Sequence, residues 1–342
     1  MTVPERLELT FLTFVPHERP AAAGPALQDA LDLFAFAEDL GYDVGWVRVR
    51  HFEKYLSSPL TLFGALSQRT RRIRLGTAVL PMRYVDPITA AEDAATVDLL
   101  SGGRLELGLA GGIAPLAPVL DRVFGASGRS FAEEAQHRIE RLRAALRGDP
   151  VAVLEKDGAL GPVGTALRVT PHAPGLADRL WYGPGSLATA ERAGRQGMDL
   201  LVSTLNTEDT GQTFEEGQRD QILAYKNAFA VPGRSPRVNA GRVILPSVTP
   251  ADDALFRDYI DWYDNRFDER GRPKGGGMGV FSLSHHRRPE DVVASLAADV
   301  ALAEATGLDV VLPADATPEM SRRILENVAT TVAPELGWVP AG

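Results

Sequence analysis

Arg72-Ile73-Arg74-Leu75-Gly76-Thr77-Ala78-Val79-Leu80, then Thr89-Ala90-Ala91-Glu92-Asp93-Ala94-Ala95-Thr96-Val97-Asp98-Leu99-Leu100, then Leu105-Glu106-Leu107-Gly108-Leu109-Ala110, is a run of three segments with two different periodicities. The outer two are short and apolar, as a strand buried on both faces requires, and the middle one is alanine-rich with helical spacing. Strand, helix and strand in that order form one βαβ unit, and parallel pairing needs such a crossover. The same alternation extends in both directions. Strands are expected at 7–15, 44–49, 73–80, 105–110, 180–183, 200–204, 238–245 and 310–312. Helices are expected at 26–40, 60–68, 89–100, 131–146, 187–196, 213–230, 251–266, 289–306 and 318–332. Eight strands, each followed by helix, predict a single (β/α)8 TIM barrel over residues 1–342.

An open doubly wound sheet would need a glycine-rich turn directly after its first strand. That turn here is Pro16-His17-Glu18-Arg19-Pro20, with no GxGxxG. Two stretches interrupt the pattern: an insertion at 111–179 after strand four, and a mobile loop near 267–288 containing Gly275-Gly276-Gly277. A loop of that composition is either solvated or a lid over the barrel mouth.

The chain has 342 residues, 44% hydrophobic and 24% charged, enough to bury a sizeable core. A formal charge of −9 opposes binding to nucleic acid or anionic membranes. The absence of cysteine removes disulfides, thiolate nucleophiles and sulfur-ligated metals, so redox chemistry would need a bound cofactor. No apolar run reaches membrane-spanning length and the start lacks a secretory pattern, so the expected location is cytoplasmic. HExxH, GxSxG and GxxxxGK[ST] are all missing, and no metal is expected.

Active sites of such barrels lie at the C-terminal ends of the strands. After strand five the chain continues Gly183-Pro184-Gly185-Ser186-Leu187-Ala188-Thr189. Glycines and a serine at a helix start suit a phosphate, although Ser186 with Thr189 equally makes an ordinary N-cap. Past strand two stand Arg50, His51 and Tyr55, and past strand three Met82 and Tyr84. His51 is either a structural histidine or an acid/base.

The run 70–81, with Asp86-Pro87 and Ala91 through Gly108, closely resembles the bacterial luciferase-like monooxygenases. Gly41-Tyr42-Asp43-Val44-Gly45-Trp46-Val47, Val123-Phe124-Gly125 and the 183–197 segment extend the similarity over most of the chain. The stretch 185–193 with Ser203-Thr204-Leu205 looks like a branch of FMN-dependent members more than luciferase itself. The resemblance implies a (β/α)8 barrel, a homodimer, and FMN or the deazaflavin F420. It implies that the flavin phosphate sits on Gly185, Ser186 and Thr189, with Gly183 and Ser203 also at the cofactor. It implies a non-proline cis peptide at Ala78–Val79 beneath the flavin ring, with Ala110 and Gly111 lining it.

Two positions depart from luciferase. Its histidine that assists the flavin chemistry falls on Arg50, which cannot act as a base but can hold an anion. The acid/base role therefore moves to His51, with Tyr84 at the substrate. An arginine after strand four is replaced by Gly111, leaving Arg129 or Arg138 for the phosphate. The implied activity is a two-component monooxygenase: reduced FMN from a separate reductase reacts with O2 to a C4a-(hydro)peroxide that oxygenates a small-molecule substrate. F420-dependent hydride transfer and a noncatalytic flavin-binding subunit are the alternatives.

Overall fold

The computed structural model describes residues 6–17 and 20–340. Residues 1–5, Glu18 and Arg19 of the turn after the first strand, and residues 341–342 lie outside the described residues. Eight strands carry the fold: β1 (Glu8–Thr13), β2 (Val44–Val47), β3 (Arg74–Thr77), β4 (Leu105–Ala110), β5 (Leu180–Tyr182), β6 (Asp199–Val202), β7 (Val238–Arg242) and β8 (Gly307–Val311). All pair in parallel with their sequence neighbours. Glu8 opposite Gly307 joins β8 to β1, and Leu75 opposite Leu105 joins β3 to β4, so the sheet closes into a barrel without edges.

The helices between them are α1 (Pro20–Asp39), α2 (Pro59–Arg69), α3 (Pro87–Ser101), α4 (Ala117–Phe124), α5 (Phe131–Leu146), α6 (Leu187–Arg195), α7 (Phe214–Ala228), α8 (Pro250–Asp264), α9 (Pro289–Ala297) and α10 (Pro318–Asn327). Asp86 opens α3 by accepting from the amides of Ile88 and Thr89, and Gly102 closes it at φ 71°. Helix α4, inside the insertion after β4, has no counterpart in the sequence pattern, because Pro115 and Pro118 disguise its start. Proline is compatible with a first helical turn.

Several expected elements are shorter or shifted, three of them at sites that matter below. The strand expected over 73–80 breaks at the cis Ala78–Val79 peptide and resumes as Leu80–Pro81 against Leu109 and Ala110. The helix expected over 289–306 stops at Ala297, because Asp299 turns its carboxylate onto the amides of Ala301 and Leu302. Strand β8 begins at Gly307 rather than 310, where a Cβ would stand 2.7 Å from Asn239 Oδ1.

Alternation sorts the strand side chains into two cores. Phe11, Leu75, Leu107 and Val310 face the helices, while Leu12, Val44, Trp46, Ala78, Trp181 and Leu201 fill the barrel. The end holding the strand starts is ionic. Glu106, 1% exposed, accepts from Arg74 Nη1 and Trp181 Nε1, both at 2.6 Å, and Arg237 Nη2 lies 3.3 Å away. Arg237 also pairs with Asp199 at 2.7 Å, and Arg74 with Glu8 at 2.6 Å. Burial pushes the Glu106 pKa up, but Arg74 and Arg237 outweigh it and hold it below the ordinary value.

The glycine-rich loop is anchored across the opposite end. Val280–Phe281 pairs with Leu205–Asn206 beyond β6, and His285–Arg287 pairs with Ile244–Pro246 beyond β7. Arg272 holds Asp209 through two bonds of 2.7 and 2.8 Å. Among the described residues no helix is long and apolar enough to cross a membrane.

Inside the barrel, Thr10 Oγ1 donates to Asp309 Oδ1 at 2.9 Å, with no cation paired to that carboxyl among the described residues. Burial pushes the Asp309 pKa up to about 7, against a smaller opposing pull from Thr10. The folded state thus keeps a proton that the unfolded chain releases near its ordinary 3.8, so this contribution to stability is complete below 3.8 and is lost as pH rises through about 7. Asp309→Asn should erase that dependence. The stability of wild type relative to the variant, from urea unfolding, should fall by roughly 1–2 kcal/mol between about pH 5.5 and 8.5. Parallel stability curves for the two proteins would refute the buried neutral acid.

Candidate active site

Strand β2 buries Val44 and Trp46 inside the barrel, and the chain leaving its end carries Arg48 and Arg50 to the open mouth. Burial, then the neighbouring charge of Arg50, pulls the Arg48 pKa down to about 10. Arg50 has only a loose ion pair, its Nε 3.9 Å from Glu53 Oε1, and that Nε is buried without a hydrogen-bond partner among the described residues. This loop is tied to its neighbours by the Lys54–Asp315 pair at 2.8 Å and by the His17 amide donating to the Lys54 carbonyl.

His51 follows, with Nε2 buried and without a hydrogen-bond partner among the described residues, and its ring 5.0 Å from that of Phe124. Burial lowers its pKa below the ordinary 6.5, so the imidazole is neutral at neutral pH. Tyr84 reaches the same place from the loop after β3, its ring 5.6 Å from Phe124 and 6.3 Å from Phe131. Its hydroxyl lies beside Asp121 in poor hydrogen-bond alignment, and burial, then the Asp121 charge, raises its pKa. The structure therefore brings His51 and Tyr84 together around one aromatic ring of α4. Beside Tyr84, Arg83 is 2% exposed, and its Nη2 stands 2.9 Å from Asp121 Oδ1.

The loop carrying these groups is stitched to the end of β4, with the Met82 amide donating to the Ala110 carbonyl and the Arg83 amide to the Gly111 carbonyl. Here the expected lining residues converge. A Cβ on Gly183 would meet Val79 Cγ1 at 3.3 Å and the Ala110 Cβ at 3.8 Å. With Phe14 and Val311 packed on Trp46 and Trp181, they form an apolar floor under the barrel mouth. One on Gly111 would instead face Ala135 and Phe131, both at 3.7 Å.

The helix start at α6 is largely self-satisfied. Ser186 Oγ accepts from the Thr189 amide at 3.3 Å, and Thr189 Oγ1 accepts from the amides of Ser186 and Gly185 at 2.9 and 3.1 Å. Glu208 Oε2, from the loop after β6, accepts from the Leu187 amide at 3.2 Å. The positive end of α6 thus already faces a carboxylate of the chain itself. Ser203 Oγ accepts from the Leu205 amide in its own loop. Arg129 and Arg138 both pair with Glu134, at 3.2 and 2.6 Å.

Alternation along β2 singles out Arg48, but nothing local marks Arg83, Asp121 or Glu208. Each matters through a partner brought near by the fold.

Residues 9–275 match the family described as luciferase-like monooxygenase. The chain is similar to 4-hydroxyprotoasukamycin monooxygenase of Streptomyces nodosus subsp. asukaensis, 29% identical over 242 residues that span 65% of this chain and 64% of the relative. It is similar to an F420-dependent glucose-6-phosphate dehydrogenase of Kribbella flavida, 29% identical over 234 residues covering 59% of this chain and 65% of that one. Among solved structures, the oxygenating constituent of 3,6-diketocamphane monooxygenase from the CAM plasmid of Pseudomonas putida, in complex with FMN, shares the fold with a TM-score of 0.71. That likeness has 15% identity and covers 96% of this chain and 98% of that one.

Because apolar burial against Phe124 depresses the His51 pKa, Phe124→Ala should move it back up toward 6.5. Imidazole proton shifts followed through a pH titration measure it. An unchanged His51 midpoint in the variant would mean that the ring does not desolvate the imidazole.

Proposed function

The chain belongs to the luciferase-like monooxygenase family, and from that membership we propose that it is a flavin-dependent monooxygenase taking reduced FMN from a separate reductase, and O2, to oxygenate a small organic molecule. A homodimer is the assembly that goes with this reading. The observation that supports a flavin-type ring is the apolar floor of Val79, Ala110 and Gly183, where a side chain at 183 would crowd Val79.

FMN, when bound, would supply the reducing electrons and the centre at which O2 is activated. The rest of the work falls to the chain. Val79, Ala110 and Gly183 would support the ring, and Gly185, Ser186 and Thr189 the phosphate. Ser203 is the further cofactor residue proposed at the end of β6, and Gly111 leaves the edge beside β4 without a side chain. Arg48 and Arg50 supply positive charge for an anionic reduced cofactor, with few competing carboxylates. His51, neutral at Nε2, can take or return a proton at that atom, and the Tyr84 hydroxyl can donate to a substrate oxygen. The loop at 267–288 would keep water from the mouth.

The F420-dependent relative keeps hydride transfer as a second reading. Glu208 disfavours it: a carboxylate at the α6 start opposes a long polyanionic tail more strongly than a single phosphate.

Anaerobic titration with reduced FMN, riboflavin and reduced F420, followed by mixing with O2, tests both. Reduced FMN should bind and the complex consume O2. Glu208→Gln should tighten FMN by about two- to fivefold while leaving riboflavin unchanged, as expected for relieving one charge at a helix end. Tight F420 binding with no oxygen consumption would transfer the protein to hydride transfer. Equal effects of Glu208→Gln on FMN and riboflavin would remove the phosphate from α6.

Deleting residues 270–277 should speed H2O2 release from the reduced complex, measured by peroxidase-coupled absorbance. Unchanged release would show that the loop does not shield the mouth.

A further inference from the structure

Arg83 is a buried cation whose own protein does not satisfy it. It is 2% exposed, yet Nε and Nη1 have no hydrogen-bond partner among the described residues. Its one carboxylate contact, Asp121 Oδ1 at 2.9 Å from Nη2, lacks hydrogen-bond alignment, since that oxygen also counts among the unpartnered buried atoms. A guanidinium carries five N–H donors and stays charged, so leaving most of them dry is costly. Elsewhere the fold does better. Fully buried Arg242 donates to Asp299 Oδ2, Gln218 Oε1 and the Gly241 carbonyl, all at 2.7 Å.

The surroundings of Arg83 have the composition of a binding site. Its Cζ lies 5.6 Å from the centre of the Tyr84 ring. Tyr84 and His51 both face Phe124; among the described residues His51 Nε2 is buried without a partner, and the Tyr84 hydroxyl has only a poorly aligned approach to Asp121. Asp121, its side chain 28% exposed, sits on α4 together with Phe124. That short helix thus brings both an aromatic wall and an acid to the cation.

The geometry points to Arg83 as the anchor for an anionic oxygen group of the substrate, an aromatic carboxylate, with Asp121 occupying the guanidinium in the substrate's place when the site is empty. This rests on the monooxygenase reading and deepens it by naming a substrate class. An aromatic ring can pack on the exposed part of Phe124, and a carboxylate that displaces Asp121 can use the donors that Asp121 leaves idle. Because the chain already supplies one carboxylate here, removing it should strengthen the demand for an external one.

The probe is benzoate, with benzamide as its neutral counterpart, titrated calorimetrically into the full chain with and without saturating FMN. Wild type should prefer benzoate by about tenfold or more, the range expected for charge-assisted hydrogen bonds. Arg83→Met should abolish the preference, and Arg83→Lys should retain part of it, which separates loss of charge from loss of fold. Asp121→Asn should tighten benzoate several-fold and increase the thermal stabilisation benzoate confers. Equal affinity for the two probes in both conditions overturns the assignment, as does a benzoate preference that survives in folded Arg83→Met. The flavin-free arm does not depend on the cofactor, so failure here and failure of the FMN and O2 experiment are read separately.

Discussion

The carboxylate of Glu106 is almost completely buried inside the barrel and must be neutralised there, because an unpaired charge in that position would oppose closure of the sheet. Arg74 at the start of β3 and Arg237 just before β7 do this, and Trp181 on β5 is a third donor. Glu8 and Asp199 take the remaining valence of the two arginines. Strands from around the circumference are thereby joined through one charge cluster at the end where they begin. Removing a single member would strand its partners, so the network specifies the register of several strands at once.

The opposite end is built on different terms. Arg48, Arg50 and Arg83 are cations at or beneath the mouth, and none has the dense carboxylate pairing of Arg74 or Arg237. His51 adds a buried Nε2 without a partner among the described residues, and Tyr84 a buried hydroxyl poorly aligned on Asp121. Such groups subtract from stability, and a fold tolerates them where a ligand can complete them. Arg50, His51 and Arg83 gather several poorly paired buried groups at the mouth, which is a physical basis for placing chemistry there that stands without reference to any relative.

The barrel was legible because its pattern is carried by side-chain alternation and turn chemistry, which are local. The expected bounds of β4 and α5 coincide with the structure, since Leu105, Leu107 and Leu109 alternate along a short segment that follows the Ser101–Gly103 turn, and Ser130 with Glu133 makes a capping box. The break after Thr77 has no compositional sign, because Ala78 and Val79 are ordinary strand residues. The early end of α9 depends on Asp299 meeting Arg242 on β7, and a contact at that sequence distance leaves no mark in periodicity. The site divides in the same way. Ser186 and Thr189 are visible as a helix start, and Gly183 as a gap in side chains, whereas Arg83–Asp121 and Leu187–Glu208 exist only once loops from different strands meet. The departures from luciferase at positions 50 and 111 could be read from the motif, but the charge that replaces the missing arginine could not. Arg129 and Arg138, the expected sources, are both engaged by Glu134.

Glu208 and Asp121 share a physical logic on the proposed reading. Each places a carboxylate of the chain where the positive end of a helix or a buried guanidinium would otherwise face nothing. An internal anion keeps the empty site intact, because it compensates charge that burial would make expensive. It also competes with any ligand that brings its own anion, so observed affinity is the difference between two pairings rather than the strength of one. Binding then becomes selective for ligands whose anion outperforms the internal one in geometry. The poor alignment of Asp121 on Arg83 leaves that margin wide, whereas the bond from the Leu187 amide to Glu208 is ordinary and leaves it narrow. The two ends of a ligand spanning the mouth would accordingly contribute unequally, with discrimination concentrated at the guanidinium.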